Sequence, residues 1–242
     1  MINSLSVVFP LYNESNRLHY TFKDIKNFNK SKIKKLEFIF VDDGSIDNSV
    51  KILKKNLKYL KEKNILFKII SLKKNAGKGN AIKKGVKASK YEWILTIDTD
   101  ISVSLSQINE WIKKNYLSKK YSIYFGSRNL ENSIVKYQIH RKVFGIIFAT
   151  ILKIFFKIYI KDTQCGFKLY KKNKAKFLFP KIKDSGFVHD VEILLLSKRY
   201  NIKVKELPVR WIHRKNSKLN LIYDSVIMLI GLMRIKINYL FS

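Results

Sequence analysis

Short apolar runs alternate with longer stretches of helical spacing along the first half of the chain. The runs are rich in Ile, Val, Phe and Tyr, and they lie at residues 5–9, 36–41, 67–72, 93–97 and 122–126. Apolar residues recur at helical spacing in the stretches between them, at about 14–28, 46–62, 79–89 and 104–116. This alternation indicates a parallel sheet buried between two layers of helices. We therefore predict an α/β fold with a doubly wound, mostly parallel sheet flanked by helices.

The pattern changes after about residue 130. A mixture of apolar residues and lysines fills 134–161, followed by a helix-like stretch at 187–200, a probable strand at 202–209 and a final apolar segment at 219–242. No Gly/Ser-rich linker divides the chain. We predict one domain over residues 1–218, which includes a helix within 134–161, and an additional C-terminal helix over 219–242.

Acidic residues follow three of the predicted strands. They are Glu14 after the first strand, Asp42 and Asp43 after the second, and Asp98 and Asp100 after the fourth. The carboxyl ends of parallel strands meet at one edge of the sheet, so we expect these acids to share a crevice. Their mutual repulsion would be relieved by a divalent cation such as Mg²⁺ or Mn²⁺, held by Asp98 and Asp100. The alternative is that such acids only cap helices, as Asp47 and Ser104 are expected to do.

The segment "NAGKGNAIKKG" at 75–85 follows the third strand and opens a helix. Gly77 and Gly79 would let the backbone approach a ligand, and a helix N-terminus beside Lys78 favours an anion. The segment matches neither the P-loop pattern nor the dinucleotide-binding pattern. By itself it is a weak signal for phosphate binding.

The chain carries 49 Lys and Arg against 18 Asp and Glu, a formal net charge of +31. A nucleic-acid-binding protein is one class with such a charge, but it would present a basic stripe with aromatic residues and no acidic crevice. Attraction to anionic lipid or to phosphate-bearing substrates is the alternative, and the acids at the strand ends favour it. The lone cysteine, Cys165, and an N-terminus unlike a signal peptide indicate a reducing compartment.

Six motifs, in this order and spacing, resemble those of the family 2 inverting glycosyltransferases. They are "FPLYNE", "VDDGSID", "NAGKGNA", "DTD", "GSR" and "DTQCGFKLY". The last motif narrows the resemblance to the polyprenyl-phosphate sugar transferases, the branch that includes the dolichyl-phosphate β-glucosyltransferases. The resemblance covers roughly residues 5 to 218. It implies the Rossmann-like GT-A fold and transfer of a sugar from a nucleotide donor.

The resemblance also implies roles for individual residues. Pro10, Tyr12, Glu14, Asp42 and Asp43 would hold the nucleotide together with Lys78, and Asp98 and Asp100 would bind the metal and the diphosphate. Arg128 would face the phosphates, Gln164 would lie near the sugar, and Asp190 would supply a functional carboxylate. The late "GSK" of the family is "NSK" here, so Lys218 matches but the glycine does not.

The acceptor implied by the resemblance is a lipid phosphate monoester, which is already anionic near neutral pH and needs no strong base to attack. Cationic side chains should therefore receive it. The candidates are Arg128, Arg141, Arg210, Arg214 and Lys218. The expected donor is UDP-glucose. GDP-mannose as the donor and a polysaccharide as the acceptor remain alternatives.

Two apolar segments favour attachment to a membrane. The longest apolar runs, 143–152 and 225–233, reach about half of the ~20 residues needed to span a bilayer. On a helix over 140–160, three lysines share one sector, opposite a set of large apolar residues: Lys142, Lys153 and Lys157 against Phe144, Phe148, Ile151, Phe155 and Ile158. Such amphipathic helices lie in the membrane interface with their lysines at anionic headgroups. A helix packed on the protein core is the alternative.

The C-terminal segment is more apolar, but Asp224 interrupts it. We expect it to lie in the interface or to form an oligomer rather than to span the bilayer. The predicted location is the cytoplasmic face of a membrane, with peripheral or interfacial anchoring.

Overall fold

The computed structural model describes the backbone of residues 2–60, 64–136, 139–214 and 221–240, and the side chains of these residues except 136, 139–144, 221–222 and 239–240. The strands are β1 (Ser4–Leu11), β2 (Lys35–Asp42), β3 (Ile65–Ser71), β4 (Trp93–Thr96), β5 (Ile123–Ser127), β6 (Ile134–Lys136), β7 (Lys168–Lys171), β8 (Val204–Pro208) and β9 (Arg210–Ile212). The helices are α1 (Leu18–Asn27), α2 (Ser49–Leu57), α3 (Lys78–Ala88), α4 (Ser106–Lys113), α5 (Ile139–Phe156), α6 (Lys172–Leu178), α7 (His189–Arg199) and α8 (Leu221–Leu240).

Seven strands form the central sheet in the order β3-β2-β1-β4-β7-β5-β8. The pairs β3–β2, β2–β1, β1–β4 and β5–β8 are parallel, whereas β7 is antiparallel to both β4 and β5. Strands β6 and β9 pair separately in parallel. The predicted α/β fold with a mostly parallel sheet is confirmed, and the reversed central strand β7 is an addition to it.

Hydrophobic cores cover both faces of the sheet. On one face Phe9, Phe38 and Trp111 belong to a cluster that includes side chains of α1, α2 and α4. On the other face Val8 and Tyr170 pack with α3, α6 and α7. Adjacent residues of β1 therefore face opposite cores, which explains why this strand is apolar throughout rather than alternating.

Helix α5 is shorter than the helix predicted within 134–161. Residues 134–136 form β6, and the helix ends at Phe156 because Lys157 adopts a left-handed backbone conformation, with φ of 51°. Lys157 and Ile158 therefore lie beyond the end of the helix. The sequence had placed Lys157 on its lysine side and Ile158 on its apolar side. The side chain of Lys142 lies outside the described residues.

The apolar residues of α5 divide between the core and the surface. Leu152 is buried, and Phe148 and Ile151 pack against the same core. The exposed side chains of α5 include four large apolar ones, Ile146, Ile147, Ile154 and Phe155, and Lys153. One side of this helix thus packs on the core, and contact of the other side with a membrane stays a prediction.

Helix α8 lies beside α5, where Lys236 Nζ is 4.7 Å from the centre of the Phe155 ring. Leu232 and Ile235 are buried, whereas the opposite side is exposed and apolar, with Val226, Ile227, Leu229, Ile230, Met233 and Ile237. Among the described residues, no helix combines the length and hydropathy that a membrane span requires. The predicted boundary at residue 218 lies in 215–220, outside the described residues, and stays a prediction.

Candidate functional site

The ends of β1, β2 and β4 bring the predicted acids to one edge of the sheet. Leu11 pairs with Asp42 at the ends of β1 and β2, and Val8 pairs with Thr96 two residues before Asp98. Pro10 lies in β1, and its carbonyl accepts a hydrogen bond from Thr99 Oγ1 at 2.5 Å. Tyr12 follows β1 and is partly exposed, at 38%. This edge is where parallel α/β sheets bind their ligands.

Lys78 and Asp98 form an ion pair at this edge, with 2.6 Å between Lys78 Nζ and Asp98 Oδ1. Burial alone would raise the pKa of Asp98, but attraction by Lys78, and then by Lys168 and Arg128, lowers it. Lys168 lies in β7 and Arg128 directly follows β5, so cations from both sides of the site act on this carboxylate. Gly166 leaves the room for this carboxylate, since an added Cβ would lie 2.2 Å from Asp98 Oδ2.

Asp100 is held by Arg17, a residue that the sequence analysis missed. Arg17 Nη1 lies 3.3 Å from Asp100 Oδ2, and the same guanidinium binds Glu14 through Nε at 2.6 Å. Asp100 Oδ1 accepts the Ser102 main-chain N–H at 3.0 Å. Burial and then repulsion by Asp98 raise the pKa of Asp100, and Arg17 opposes the rise. The signal in the sequence was the Glu14–Arg17 spacing of three residues.

The acids at the end of β2 bind the backbone of two loops. Asp42 Oδ1 accepts the Ser45 N–H at 3.1 Å, and Asp43 accepts the N–H groups of Ala76 at 2.9 Å and Gly77 at 2.8 Å. Asp43 therefore fixes the turn that leads into α3 and Lys78. The acids lie at one edge of the sheet as expected, and Glu14, Asp43 and Asp98 have partners within the chain.

The glycines before and within α3 make a close backbone contact, and the ligand contact that their spacing suggested stays a prediction. Gly77 has a φ of +96°, and a Cβ there would lie 2.3 Å from the Ser185 carbonyl oxygen. A Cβ on Gly79 would lie 3.0 Å from the Gly186 carbonyl oxygen. Asn80 N–H also donates to the Ser185 carbonyl at 3.2 Å. The N-terminus of α3 is thus packed against the segment that precedes α7.

Asp190, at the start of α7, is buried with a lysine and a histidine. Lys168 Nζ is 2.6 Å from Asp190 Oδ2, and His189 Nε2 is 3.3 Å from Asp190 Oδ1. His189 Nδ1 donates to the Gly186 carbonyl at 2.7 Å. Lys168 is only 2% exposed. The sequence analysis named Asp190 but missed Lys168 and His189, because a lysine in a strand is more often at the surface.

Arg128 is paired with Asp162, which the sequence analysis also missed. Its Nε and Nη2 donate to the two carboxylate oxygens at 2.7 Å and 2.9 Å, and its guanidinium carbon lies 5.8 Å from the centre of the Trp211 ring. Gln164 lies in the same loop, and its main-chain N–H donates to Asp162 Oδ1 at 3.1 Å. Arg128 and Gln164, which were predicted separately, are therefore joined through one carboxylate.

The remaining predicted cations are spread more widely. Arg214 donates to the Ile101 carbonyl at 3.1 Å, directly after the two aspartates of β4. Arg210 is 3.0 Å from Glu110 on α4, and its side chain is 61% exposed. The side chain of Arg141 and the whole of Lys218 lie outside the described residues.

The residues present fit a hard divalent cation that takes most of its ligands from a substrate. In the described part of the chain, no three His, Cys, Asp or Glu side chains are grouped as a metal site. Asp98 and Asp100 provide two carboxylates, and the raised pKa of Asp100, from burial and repulsion by Asp98, reflects negative charge that Arg17 only partly offsets. Two carboxylates and a diphosphate suffice for Mg²⁺ or Mn²⁺.

The fold is shared with solved structures of low sequence identity. Glucosyl-3-phosphoglycerate synthase from Mycobacterium tuberculosis, solved with phosphoglyceric acid, matches 88% of this chain and 73% of its own chain, with a TM-score of 0.61 and 16% identity. The same enzyme solved with Mn²⁺ and UDP-glucose matches 93% of this chain and 77% of its own, with a TM-score of 0.60. These similarities establish the GT-A fold.

Sequence comparison gives the family. The profile described as Glycosyl transferase family 2 matches residues 6–179. The dolichyl-phosphate β-glucosyltransferase of Saccharomyces cerevisiae is 34% identical, over 98% of this chain and 75% of its own length. The enzyme of the same name from Homo sapiens is 32% identical, over 98% of this chain and 76% of its own. The chain therefore belongs to glycosyl transferase family 2 and is a glycosyltransferase of the GT-A fold, related over nearly its whole length to the dolichyl-phosphate β-glucosyltransferases.

Proposed function

We propose that the protein transfers glucose from UDP-glucose to a polyprenyl phosphate of the dolichyl type. The observation that carries the proposal is the pair Asp98 and Asp100, half-buried at the carboxyl edge of the sheet, with Lys78 and Arg128 both attracting Asp98. The arrangement supplies acids for a metal–diphosphate donor and a cation for a second phosphate. The similarity to dolichyl-phosphate β-glucosyltransferases supports the choice of glucose and of the lipid acceptor.

The donor side of the site is built from β1, β2, β4 and α3. We assign the base and ribose to Pro10, Tyr12, Glu14, Asp42 and Asp43, with Lys78 beside them. Asp98 and Asp100 would hold Mg²⁺ or Mn²⁺, which when bound neutralises the charge of the leaving diphosphate. The related fold solved with Mn²⁺ and UDP-glucose supports this choice of donor.

The acceptor side is built from the C-terminal end of β5 and the loop before β7. Arg128 would bind the lipid phosphate, and Gln164 would contact the donor sugar. Arg214, beside the aspartates of β4, is the next candidate for the phosphate, followed by Arg141 and Lys218. Arg210 ranks last because it is paired with Glu110.

One phosphate oxygen of the acceptor forms a bond to the anomeric carbon while the bond from that carbon to the diphosphate breaks, with inversion. The acceptor is already a dianion for much of the neutral pH range, because its second pKa is about 6. Asp190 is therefore not required to remove a proton; with Lys168 it forms a fixed, buried pair at the floor of the site. The main contribution of the protein is to hold two anionic groups in contact geometry.

We also propose that the protein binds the cytoplasmic face of a membrane, and the apolar surface of α5 and α8 supports the membrane contact. The exposed side chains of Ile154, Phe155 and Met233 would enter the acyl boundary, and the net charge of +31 would favour anionic headgroups. A second copy of the chain on this surface, giving a homo-oligomer, is the competing use. Detergent-free size measurement would distinguish the two.

The proposal is tested by incubating the purified protein with dolichyl phosphate, Mn²⁺ and a panel of radiolabelled donors, UDP-glucose and GDP-mannose among them. Label from UDP-glucose in the lipid phase is expected. Label in the lipid phase from GDP-mannose alone would show that GDP-mannose, and not UDP-glucose, is the donor. Label only in an added surface polysaccharide would show that the acceptor is a polysaccharide. Salt-sensitive binding to random DNA without any transfer would favour a nucleic-acid-binding protein.

Asp100→Ala is the matching variant. Because Asp100 is one of the two carboxylates offered to the metal, its loss should abolish transfer and the Mn²⁺-dependent part of UDP binding. Circular dichroism and vesicle binding should stay close to wild type. Retained transfer would remove the metal-binding role from Asp100.

A further inference from the structure

Asp162 lies in the loop before β7, and both of its carboxylate oxygens accept two hydrogen bonds. Oδ2 accepts the Arg128 main-chain N–H at 2.9 Å and Arg128 Nε at 2.7 Å. Oδ1 accepts Arg128 Nη2 at 2.9 Å and the Gln164 main-chain N–H at 3.1 Å. A single carboxylate therefore holds the guanidinium of Arg128, the backbone at Arg128 and the turn that carries Gln164.

The position of Asp162 is itself fixed. Its side chain is buried, and its main-chain N–H donates to Glu206 Oε1 at 2.9 Å. The neighbouring Lys161 N–H donates to Glu206 Oε2 at 2.8 Å. Burial alone would raise the pKa of Asp162, but attraction and hydrogen bonds from Arg128 lower it, so the carboxylate is ionised. A planar guanidinium bound bidentately to a fixed carboxylate has one orientation.

A fixed orientation matters here because Arg128 has an alternative anionic partner. Burial and Lys78 have the largest effects on the pKa of Asp98, and attraction by Arg128 lowers this pKa further. Arg128 and Asp98 are therefore close enough to attract each other. An arginine free to rotate would be drawn toward Asp98 and Asp100 before any acceptor arrived. Pairing with Asp162 through Nε and Nη2 fixes the plane of the guanidinium and therefore the direction in which it faces.

We infer that Asp162 is a positioning residue for the transfer: it orients Arg128 toward the acceptor phosphate and holds the Gln164 turn against the donor sugar. The inference rests on the proposed function, since it takes Arg128 as the phosphate ligand. It predicts that Asp162 affects the use of the acceptor much more than the binding of the nucleotide.

Asp162→Asn keeps the shape of the side chain and removes its charge. We expect kcat/KM for polyprenyl phosphate to fall about 100-fold, the loss associated with a misplacement of about 1 Å. The Kd for UDP with Mn²⁺, measured by calorimetry, should stay within about twofold, because the donor residues lie on other elements. An equal loss in acceptor kcat/KM and in UDP affinity would show that Asp162 only supports the fold.

A double-mutant cycle shows whether Asp162 acts through Arg128. If it does, the loss of acceptor kcat/KM in Asp162→Asn combined with Arg128→Gln should be much smaller than the product of the two single losses. Losses that multiply would overturn the inference. Glu37→Gln is the control, since it removes the charge of a buried carboxylate near the start of β2, away from the acceptor side, where Glu37 accepts a hydrogen bond from the Lys90 main-chain N–H at 2.6 Å; its acceptor kinetics should stay close to wild type.

A measurement without any substrate separates this inference from the proposed function. The Nε–H resonance of Arg128, identified by its loss in Arg128→Lys, should be sharp and slow to exchange in the wild type and broadened in Asp162→Asn. An unchanged resonance would overturn the inference. If the resonance behaves as expected while the donor panel shows no transfer to lipid phosphate, the arrangement of Asp162 and Arg128 stands and the proposed function fails.

If Asp162→Asn does not fold, Asp162→Glu keeps the charge and displaces it by one methylene group. The same selective loss in acceptor kcat/KM is then expected, because the guanidinium would move with its partner. Wild-type acceptor kinetics in Asp162→Glu would overturn the inference.

Discussion

Gly166 and Asp98 are in contact at the floor of the site, where the loop before β7 crosses the end of β4. A Cβ at residue 166 would lie 2.2 Å from one oxygen of Asp98 and 2.5 Å from the other, closer than real Cβ contacts. The absence of a side chain thus lets a predicted metal ligand point into the site beside Lys78. The sequence alone shows this glycine only as part of a motif.

Gly166→Ala should therefore displace Asp98 and disturb its pair with Lys78. We expect loss of Mn²⁺-dependent UDP binding by calorimetry, together with a destabilisation of about 1–3 kcal/mol from overpacking in urea unfolding. Gly145→Ala is the matched control, because nothing lies within 4 Å of its added Cβ. Its effect should be neutral or stabilising by up to about 1 kcal/mol in a helix. Equal effects of the two variants would contradict the steric explanation.

Lys168 offers a second test, because it is a buried lysine paired with Asp190. Lys168→Met should cost about 3–5 kcal/mol in the free energy of unfolding, since it leaves a buried carboxylate without its cation. Adding Asp190→Leu should recover much of the stability but not the transferase activity. Lys171→Met, in the more exposed end of the same strand, is the control and should change stability little. A double variant no more stable than Lys168→Met would show that packing, not charge, sets the cost.

The sequence predicted those site residues whose type and position both carry a signal. Asp98 and Asp100 follow an apolar strand, and Arg128 and Gln164 lie in family motifs. Arg17 and Lys168 were not predicted, because whether a cation is buried depends on which carboxylate folds against it. The pairs of Arg17 with Asp100 and of Lys168 with Asp190 are set by tertiary contacts between distant segments, which nothing local encodes; only the contact of Arg17 with Glu14 has a local signal.

At the scale of elements, the strands and helices of the first half were predicted because each is long, apolar on the required faces and separated by polar turns. The order of elements after residue 130 was harder to predict from the sequence. Strand β7 is four residues long and contains two lysines, so its pattern does not resemble a buried strand. The length of α5 was overestimated because the backbone reversal at Lys157 has no glycine or proline to mark it.

The apolar surface of α5 and α8 predicts membrane binding at this scale. Ile154→Glu combined with Met233→Glu removes two exposed apolar groups, each contributing about 1.5–3 kcal/mol when buried. Flotation with anionic vesicles should show binding weakened by more than about tenfold. Tyr59→Glu, which changes an exposed aromatic residue at the end of α2, is the control and should bind as the wild type does. Unchanged binding of the double variant would point to a protein partner on this surface.

At the scale of the whole molecule, the net charge of +31 says little about the site. The acids at the strand ends argued against a nucleic-acid-binding protein, and the structure pairs several acids of the site with cations, among them Asp162 with Arg128 and Asp190 with Lys168. Stability depends on these buried pairs, and some of them respond to pH. His189 is the clearest case, because burial, reinforced by Lys168 and opposed by Asp190, lowers its pKa.

The pH dependence follows from this shift. In the unfolded chain His189 should titrate near its ordinary pKa of about 6.5, so below that pH the unfolded state binds a proton that the folded state does not. The free energy of unfolding should therefore fall as the pH drops below about 6.5, until the lower pKa of the folded state is reached. Urea unfolding between about pH 5 and pH 8 should show this decrease, and His189→Gln should show less of it. An identical pH profile in the variant would assign the decrease to other groups.

The reversed strand β7 also has a consequence for the order in which a nascent chain can fold. Strands β1 to β4 form a continuous parallel unit that is complete once the first hundred residues have left the ribosome. Strand β5 is made next but cannot pair with β4, since its place is reserved for a segment synthesised some forty residues later. During that interval β4 is an open edge, available to any other extended chain. The interval between synthesis of β5 and synthesis of β7 is therefore the stage at which this chain is most exposed to misassembly.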